Sequence, residues 1–186
     1  LIAAAGVWFG GWFDELVQRI CEVNMTLPAV AVIMLTFLFV SKSIWAVLGV
    51  LVLLNIFGSP LKNYRAALMP VREASYIEAA LAQGASSFRI IGRYLVPQIL
   101  PLMITQLIIS VPVFVYYEAT LSFLGVSDPS FPTWGRVIYD VINSRDFMWY
   151  PHRFLIPLGL IMVTGLGFAL LGIALERVMN PRLRER

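Results

Sequence analysis

Apolar residues gather along this chain in long runs rather than at helical or strand-like intervals, and the runs define its elements. Thr26 to Val40 is apolar apart from its threonines and extends upstream through Val23 to spanning length. Ser41-Lys42-Ser43 then predicts a tight polar hairpin. Ile44 to Gly58 returns, broken only by Asn55, and Gln98 to Tyr117 forms a third run. Phe154 to Leu175 is the clearest, with no charged residue over its whole length. Runs of roughly 18–20 apolar residues are the mark of transmembrane helices. A water-soluble helical core would carry a polar face at the helical period, and these runs carry none. Leu1 to Phe9 is a shorter apolar run that meets Asp14-Glu15 too early to span. With no Met and no basic leader it is not a signal peptide, and it reads as the tail of a helix whose beginning is missing. The expected fold class is therefore an all-α integral membrane protein with five transmembrane helices, the first truncated, forming a single domain over residues 1–186.

Composition supports this. The 186 residues are 59% hydrophobic and 13% charged, and the mean hydropathy is +0.80. One cysteine, Cys21, and one histidine, His152, exclude an internal disulfide and a Cys/His metal cluster. The net charge of +3 does not signal nucleic acid, because the basic residues flank apolar runs instead of clustering with aromatics on a soluble domain. Their distribution predicts orientation. Arg19, Lys62, Arg65, Arg72, Arg89, Arg93, Arg177, Arg182, Arg184 and Arg186 fall on one side, and Lys42, Arg136, Arg145 and Arg153 on the other. The positive-inside rule puts the first group, with the 61–97 loop and the C-terminus, in the cytoplasm.

That loop is polar and helix-capable. Ser75-x-x-Glu78 has the form of a capping box, Gly84 suits a left-handed C-terminal cap, and a helix of about two turns fits between them. A helix so short needs packing to persist. Ser86 or Ser87 can cap a second helix, with Arg89 and Arg93 on one face and Ile90, Ile91 and Leu95 on another. Pro97 and Pro101 are then expected to kink the start of the third span.

Glu78-Ala79-Ala80, three residues, Gly84 and, further on, Tyr94-Leu95-Val96-Pro97 resemble the cytoplasmic signature loop of ABC importer permeases. Tyr94 stands where that family usually has an aliphatic residue and Val96 where it has Leu. Gly10 to Leu16, Pro28, Glu118 to Gly125, Pro132 to Gly135 and Asn180 to Arg184 extend the resemblance over essentially the whole chain. They look like the dipeptide/oligopeptide class, whose patterns nickel and glutathione importers share. The resemblance implies a permease subunit of the bacterial or archaeal cytoplasmic membrane. Its implied partners are ATP-binding cassette ATPase subunits, a second homologous permease, an external substrate-binding protein and lipid. It implies no cofactor in this chain, ATP being bound by the separate ATPase subunits. Ser75, Glu78, Ala79, Ala80, Gly84 and Pro97 become the coupling residues, with small side chains at 79 and 80 letting the helix lie in an ATPase groove.

Two residues in the apolar runs are candidates for a translocation path. Glu118 follows twenty residues without charge, and a carboxylate at that depth either meets a ligand, such as a peptide ammonium, or bonds backbone or a partner subunit. Asn55 either makes an interhelical hydrogen bond or contacts a ligand. The aromatic-rich stretch Ser127 to Arg153 reads as an interfacial belt, a docking surface for a soluble binding protein, or part of an external gate. Asp128, Asp140 and Asp146 are too dispersed for a metal site. The sequence carries no phosphate-binding glycine loop and no credible catalytic set, so it is not read as an enzyme. A proton-coupled carrier or channel using Glu118, and a non-transporting assembly factor, are the competing classes.

Overall fold

The computed structural model describes residues 1–40, 43–128 and 130–179. The predicted hairpin at Ser41-Lys42, the Asn180 to Arg184 pattern and the basic tail through Arg186 lie outside the described residues. Those described are helical, with no strand. The helices are α1 (Ile2–Phe9), α2 (Gly11–Thr26), α3 (Ala29–Phe39), α4 (Ile44–Ile56), α5 (Ser59–Arg72), α6 (Ser75–Ala82), α7 (Ser87–Ile90), α8 (Val96–Phe123), α9 (Trp134–Asn143) and α10 (His152–Met179). A π turn, Ile91–Leu95, joins α7 to α8, and a 3₁₀ turn, Asp146–Met148, precedes α10.

Three helical stretches among the described residues are long and apolar enough to cross a membrane: Ile44–Arg72, Ser87–Phe123 and His152–Leu175. A fourth crossing exists only if α2 and α3, bent by 83°, count as one broken span. Pro28 cuts the expected Val23–Val40 span, because proline lacks an N–H and drives the residue before it out of the helical region. Leu27 is accordingly extended, at φ −77° and ψ 130°. The 11 residues of α3 then rise only about 17 Å, against a hydrocarbon core of about 30 Å. The expected kink at Pro97 and Pro101 takes another form: the chain stays helical from Ser87 to Phe123, and the turn just before Pro97 widens to π geometry, with the Val96 amide bonding the Ile91 carbonyl. π turns of this kind absorb a local mismatch in a long helix.

The described chain packs as two compact units, one formed by Leu1–Leu27 and Leu53–Ile104, the other by Pro28–Val52 and the chain from Thr105 onward. In the first, α1 lies on α5, and Ala4, Val7, Cys21, Leu68, Ile77, Ile90, Leu95 and Ile99 form one buried cluster. An ion pair fastens α2 to α5: Arg65 donates from Nε and Nη2 to both oxygens of Asp14, at 2.6–3.0 Å. Bidentate guanidinium–carboxylate geometry is the strong form of this contact. The Asn24 amide donates to the Leu54 carbonyl at 2.8 Å, which the end of α4 leaves without an intrahelical partner because the Gly58 amide bonds Asn55 instead.

In the second unit, Thr133 caps α9 by accepting from the Arg136 amide at 3.2 Å, and Ile138 and Val141 face inward from α9. Gly135 is where α9 meets α8. A Cβ there would lie 2.6 Å from the Ala119 Cα and 2.9 Å from the Ser122 Cβ, so only glycine permits the approach. Gly172 of α10 packs against Ile109 of α8. Met162, Val163, Leu166 and Leu170 of α10 are exposed, as expected of a helix apolar on all sides that faces lipid.

Candidate functional site

The first candidate is α6. Its turn begins one residue earlier than the capping-box reading requires. Ala74, at φ −74° and ψ 141°, is the cap residue, and Ser75 has entered the helix, making no side-chain cap bond. The Ala74 carbonyl instead accepts from the Ile77 amide at 2.9 Å. A hydroxyl acts as a cap only from an extended residue outside the helix, so the capping role expected of Ser75 is corrected.

The C-terminal end takes the expected form. Gly84 has φ +80°. The Ala85 amide reaches the Ala80 carbonyl at 3.0 Å and the Gly84 amide reaches Leu81 at 2.9 Å, the two bonds of a Schellman motif. The same pair of bonds closes α8, where Gly125 has φ +81° and the amides of Val126 and Gly125 reach Leu121 and Ser122.

Between these ends, α6 is anchored on one side. Ile77 (1% exposed) and Ala80 (8%) are buried in the cluster of the first unit, while Ser75, Tyr76, Glu78, Ala79, Leu81 and Ala82 are exposed. This corrects the pairing of Ala79 with Ala80 as contact residues: three residues beyond Ile77, Ala80 shares its inward face, and Ala79 alone of the two faces out. Tyr94, the departure from the family pattern, stacks on Tyr76 with ring centroids 6.2 Å apart, joining α6 to the π turn. Pro97 is exposed at the start of α8, beside buried Leu95 and Ile99. Phe88 is 82% exposed and Arg89 and Arg93 are exposed, so the segment after Gly84 presents aromatic and basic side chains to its surroundings.

The second candidate is Glu118, on α8 in the other unit. Its Oε1 accepts a 2.6 Å hydrogen bond from the hydroxyl of buried Ser122, one turn on. It lines a cleft of about 320 Å³ with Leu48, Phe114, Val115, Pro132, Thr133 and Trp134, and a second, narrower pocket that Asp128 also lines. Asp128 lies outside the apolar runs, and the Ser130 amide bonded to it at 2.9 Å holds its carboxyl below the ordinary range. Asn55 lies in the first unit near the end of α4, where its carbonyl takes the Gly58 amide. An interhelical hydrogen bond at this end of α4 runs from the Asn24 side chain to the Leu54 carbonyl.

Sequence reasoning named Thr133 and Trp134 only within a motif and missed α9, the helix that they open. Threonine before Trp134, with Ile138 and Val141 at helical spacing, is the amphipathic signal that could have found it. It also missed the Asp14–Arg65 pair, which two opposite charges in a chain so poor in charge could have suggested.

Residues 1–185 match the family model for the binding-protein-dependent transport system inner membrane component. The chain belongs to this family. Among curated relatives it is 25% identical over 179 residues to the oligopeptide transport system permease protein OppC of Bacillus subtilis, covering 95% of this chain and 57% of that one. It is 28% identical over 180 residues to the dipeptide transport system permease protein DppC of Lactococcus lactis subsp. cremoris, covering 96% and 51%. It is 28% identical over 181 residues to the glutathione transport system permease protein GsiD of Pectobacterium atrosepticum, covering 96% and 58%. The chain thus spans a little over half the length of the relatives it matches. The family is described as an inner membrane component, and the apolar helices of this chain fit a multi-pass membrane protein.

Proposed function

We propose that the chain is the permease part of an ABC importer for di- or oligopeptides, and that α6 is the handle through which an ATPase subunit moves it. The observation that carries this is the one-sided anchoring of α6. Ile77 and Ala80 are buried in the first unit, Gly84 turns the chain sharply away, and Glu78 and Ala79 are left exposed. A two-turn helix held this rigidly transmits a push to the helices beneath it instead of fraying. The substrate class rests on the printed names of the relatives, among which glutathione is the alternative to longer peptides.

In this reading ATP draws two ATPases together and carries the α6 helices with them. The spans tilt so that the path, shared with a second permease, opens toward an external binding protein, and hydrolysis reverses the change. The membrane part has two states, and the ATPase shifts their populations through its preference for one. The 61–97 loop and the C-terminus are cytoplasmic and the 127–153 segment external. Glu22 supports the grouping of charges, since it takes Arg19 at 2.9 Å and Lys62 at 3.7 Å, bringing basic residues of two sequence segments to one face.

The test is co-purification of the ATPase with the tagged chain. Ala79→Trp is expected to abolish it while the chain still inserts. Ala80→Trp is expected to disrupt the first unit itself, because the side chain enters a packed core. Retention of the ATPase by the Ala79→Trp variant as by wild type sinks the coupling role. Absence of any ATPase from the wild-type preparation, with uptake driven by a proton gradient, favours a carrier using Glu118.

A further inference from the structure

We propose that the cleft beside Glu118 is a binding subsite for a primary ammonium group carried on a small apolar or aromatic body; this rests on reading the chain as part of a translocation path. All of its lining belongs to one unit. Leu48, Phe114, Val115 and Pro132 make it apolar, and Glu118 is its one ionisable member. At about 320 Å³ it stands at the small end of ligand pockets, which are mostly apolar with a few placed polar groups.

The carboxylate is positioned but not neutralised. Ser122 donates to Oε1, which holds the side chain in one orientation. Among the described residues no Lys, Arg or His pairs with Glu118. The guanidinium of Arg136, on the neighbouring α9, is committed to Asp140 at 3.1 Å and to Ser127 at 3.1 Å. A carboxylate among apolar groups without a counter-charge is costly, and an ammonium entering the cleft relieves that cost. Phe114 and Trp134 also line the cleft, and aromatic rings attract a cation placed over their faces. Asp128, lining the narrower pocket with Glu118, reinforces the negative potential. The same charges disfavour an anion, and an acylated amine keeps the apolar contacts but loses the pairing.

The test uses the purified chain, with whatever subunits accompany it, in nanodiscs without soluble binding protein. Trp134 is followed through the ¹⁹F resonance of 5-fluorotryptophan, assigned with Trp134→Phe. The probes are the dipeptide Ala-Phe and its N-acetyl derivative. Ala-Phe is expected to shift the Trp134 resonance with at least about tenfold tighter affinity than the acetylated probe. Glu118→Gln, which keeps an acceptor for Ser122, should bring the two within about twofold. Equal binding of both probes, an unchanged ratio in Glu118→Gln, or no shift with either probe would overturn the subsite. ATPase retention in the same preparation reads the permease assignment separately. A retained ATPase with no discrimination sinks only the subsite, and discrimination without an ATPase sinks only the assignment.

Discussion

Substituting Gly84 isolates the cost of backbone conformation from the cost of crowding. The residue sits at φ +80°, and a Cβ there would meet no atom within 4 Å. Packing therefore adds nothing, and the penalty for Gly84→Ala is that of an L-residue in the left-handed region, about 1–2 kcal/mol. Alanine also reduces the freedom of the unfolded chain, which returns about 0.4–1 kcal/mol. The net expectation is a loss of about 1 kcal/mol. Gly84→Asn should cost less, since asparagine tolerates this conformation. Gly84→Val should cost most: a β-branched residue resists it, and leaving it forfeits the amide bonds to Ala80 and Leu81, each worth about 0.5–1.5 kcal/mol net. The assay is twofold, thermal unfolding of the purified assembly and substrate uptake per ATP hydrolysed in proteoliposomes. Stability should fall in the order Asn, Ala, Val, and uptake per ATP should fall with it as Glu78 and Ala79 lose their fixed position. A Val variant as stable and as well coupled as wild type would refute the argument.

The Asp14–Arg65 pair is partly buried, with side-chain exposures of 15% and 30%, between the regimes of exposed and fully buried pairs. A double-mutant cycle with Asp14→Asn and Arg65→Gln should give a coupling energy of about 1–2 kcal/mol in thermal unfolding, and simple additivity would mean the pair does not fasten α2 to α5. Asp128 should titrate below its ordinary value of 3.8 because the Ser130 amide favours its charged form. A depressed carboxyl contributes above its unfolded value and stops contributing as pH falls through the folded one. The Ser130 amide shift, followed by NMR, should thus titrate with a midpoint below the ordinary value; a midpoint above it would contradict the hydrogen bond.

The apolar runs from Ile44, Gln98 and Phe154 were legible because a membrane helix must be apolar on all sides, and length alone then separates it from other elements. Val23–Val40 misled for the same reason: hydropathy is blind to the backbone effect of Pro28, which bends the chain between two helices that would otherwise make one span. At α6 the glycine end was readable, since φ > 0 leaves glycine as the natural choice. The serine end was not, because a one-residue shift in where the chain leaves α5 moves Ser75 from cap to first turn. Ala79 and Ala80 look alike in sequence, and only the position of the buried core, set by Ile77, Leu68 and α1, tells which faces out. Glu118 was visible as a lone charge, whereas its setting was not: Ser122 lies one turn along the same helix, but the Thr133–Trp134 wall arrives from α9.

The central claim is that the outward face of α6 meets an ATPase, and photo-cross-linking tests it most directly. A benzophenone amino acid placed at Ala79, and another at Ser130 as the control in the segment assigned to the opposite side of the membrane, would be irradiated in intact cells. The account predicts an adduct of this chain with an ATP-binding cassette subunit from position 79 and none from position 130. No such adduct from position 79, or equal adducts from both positions, would contradict it.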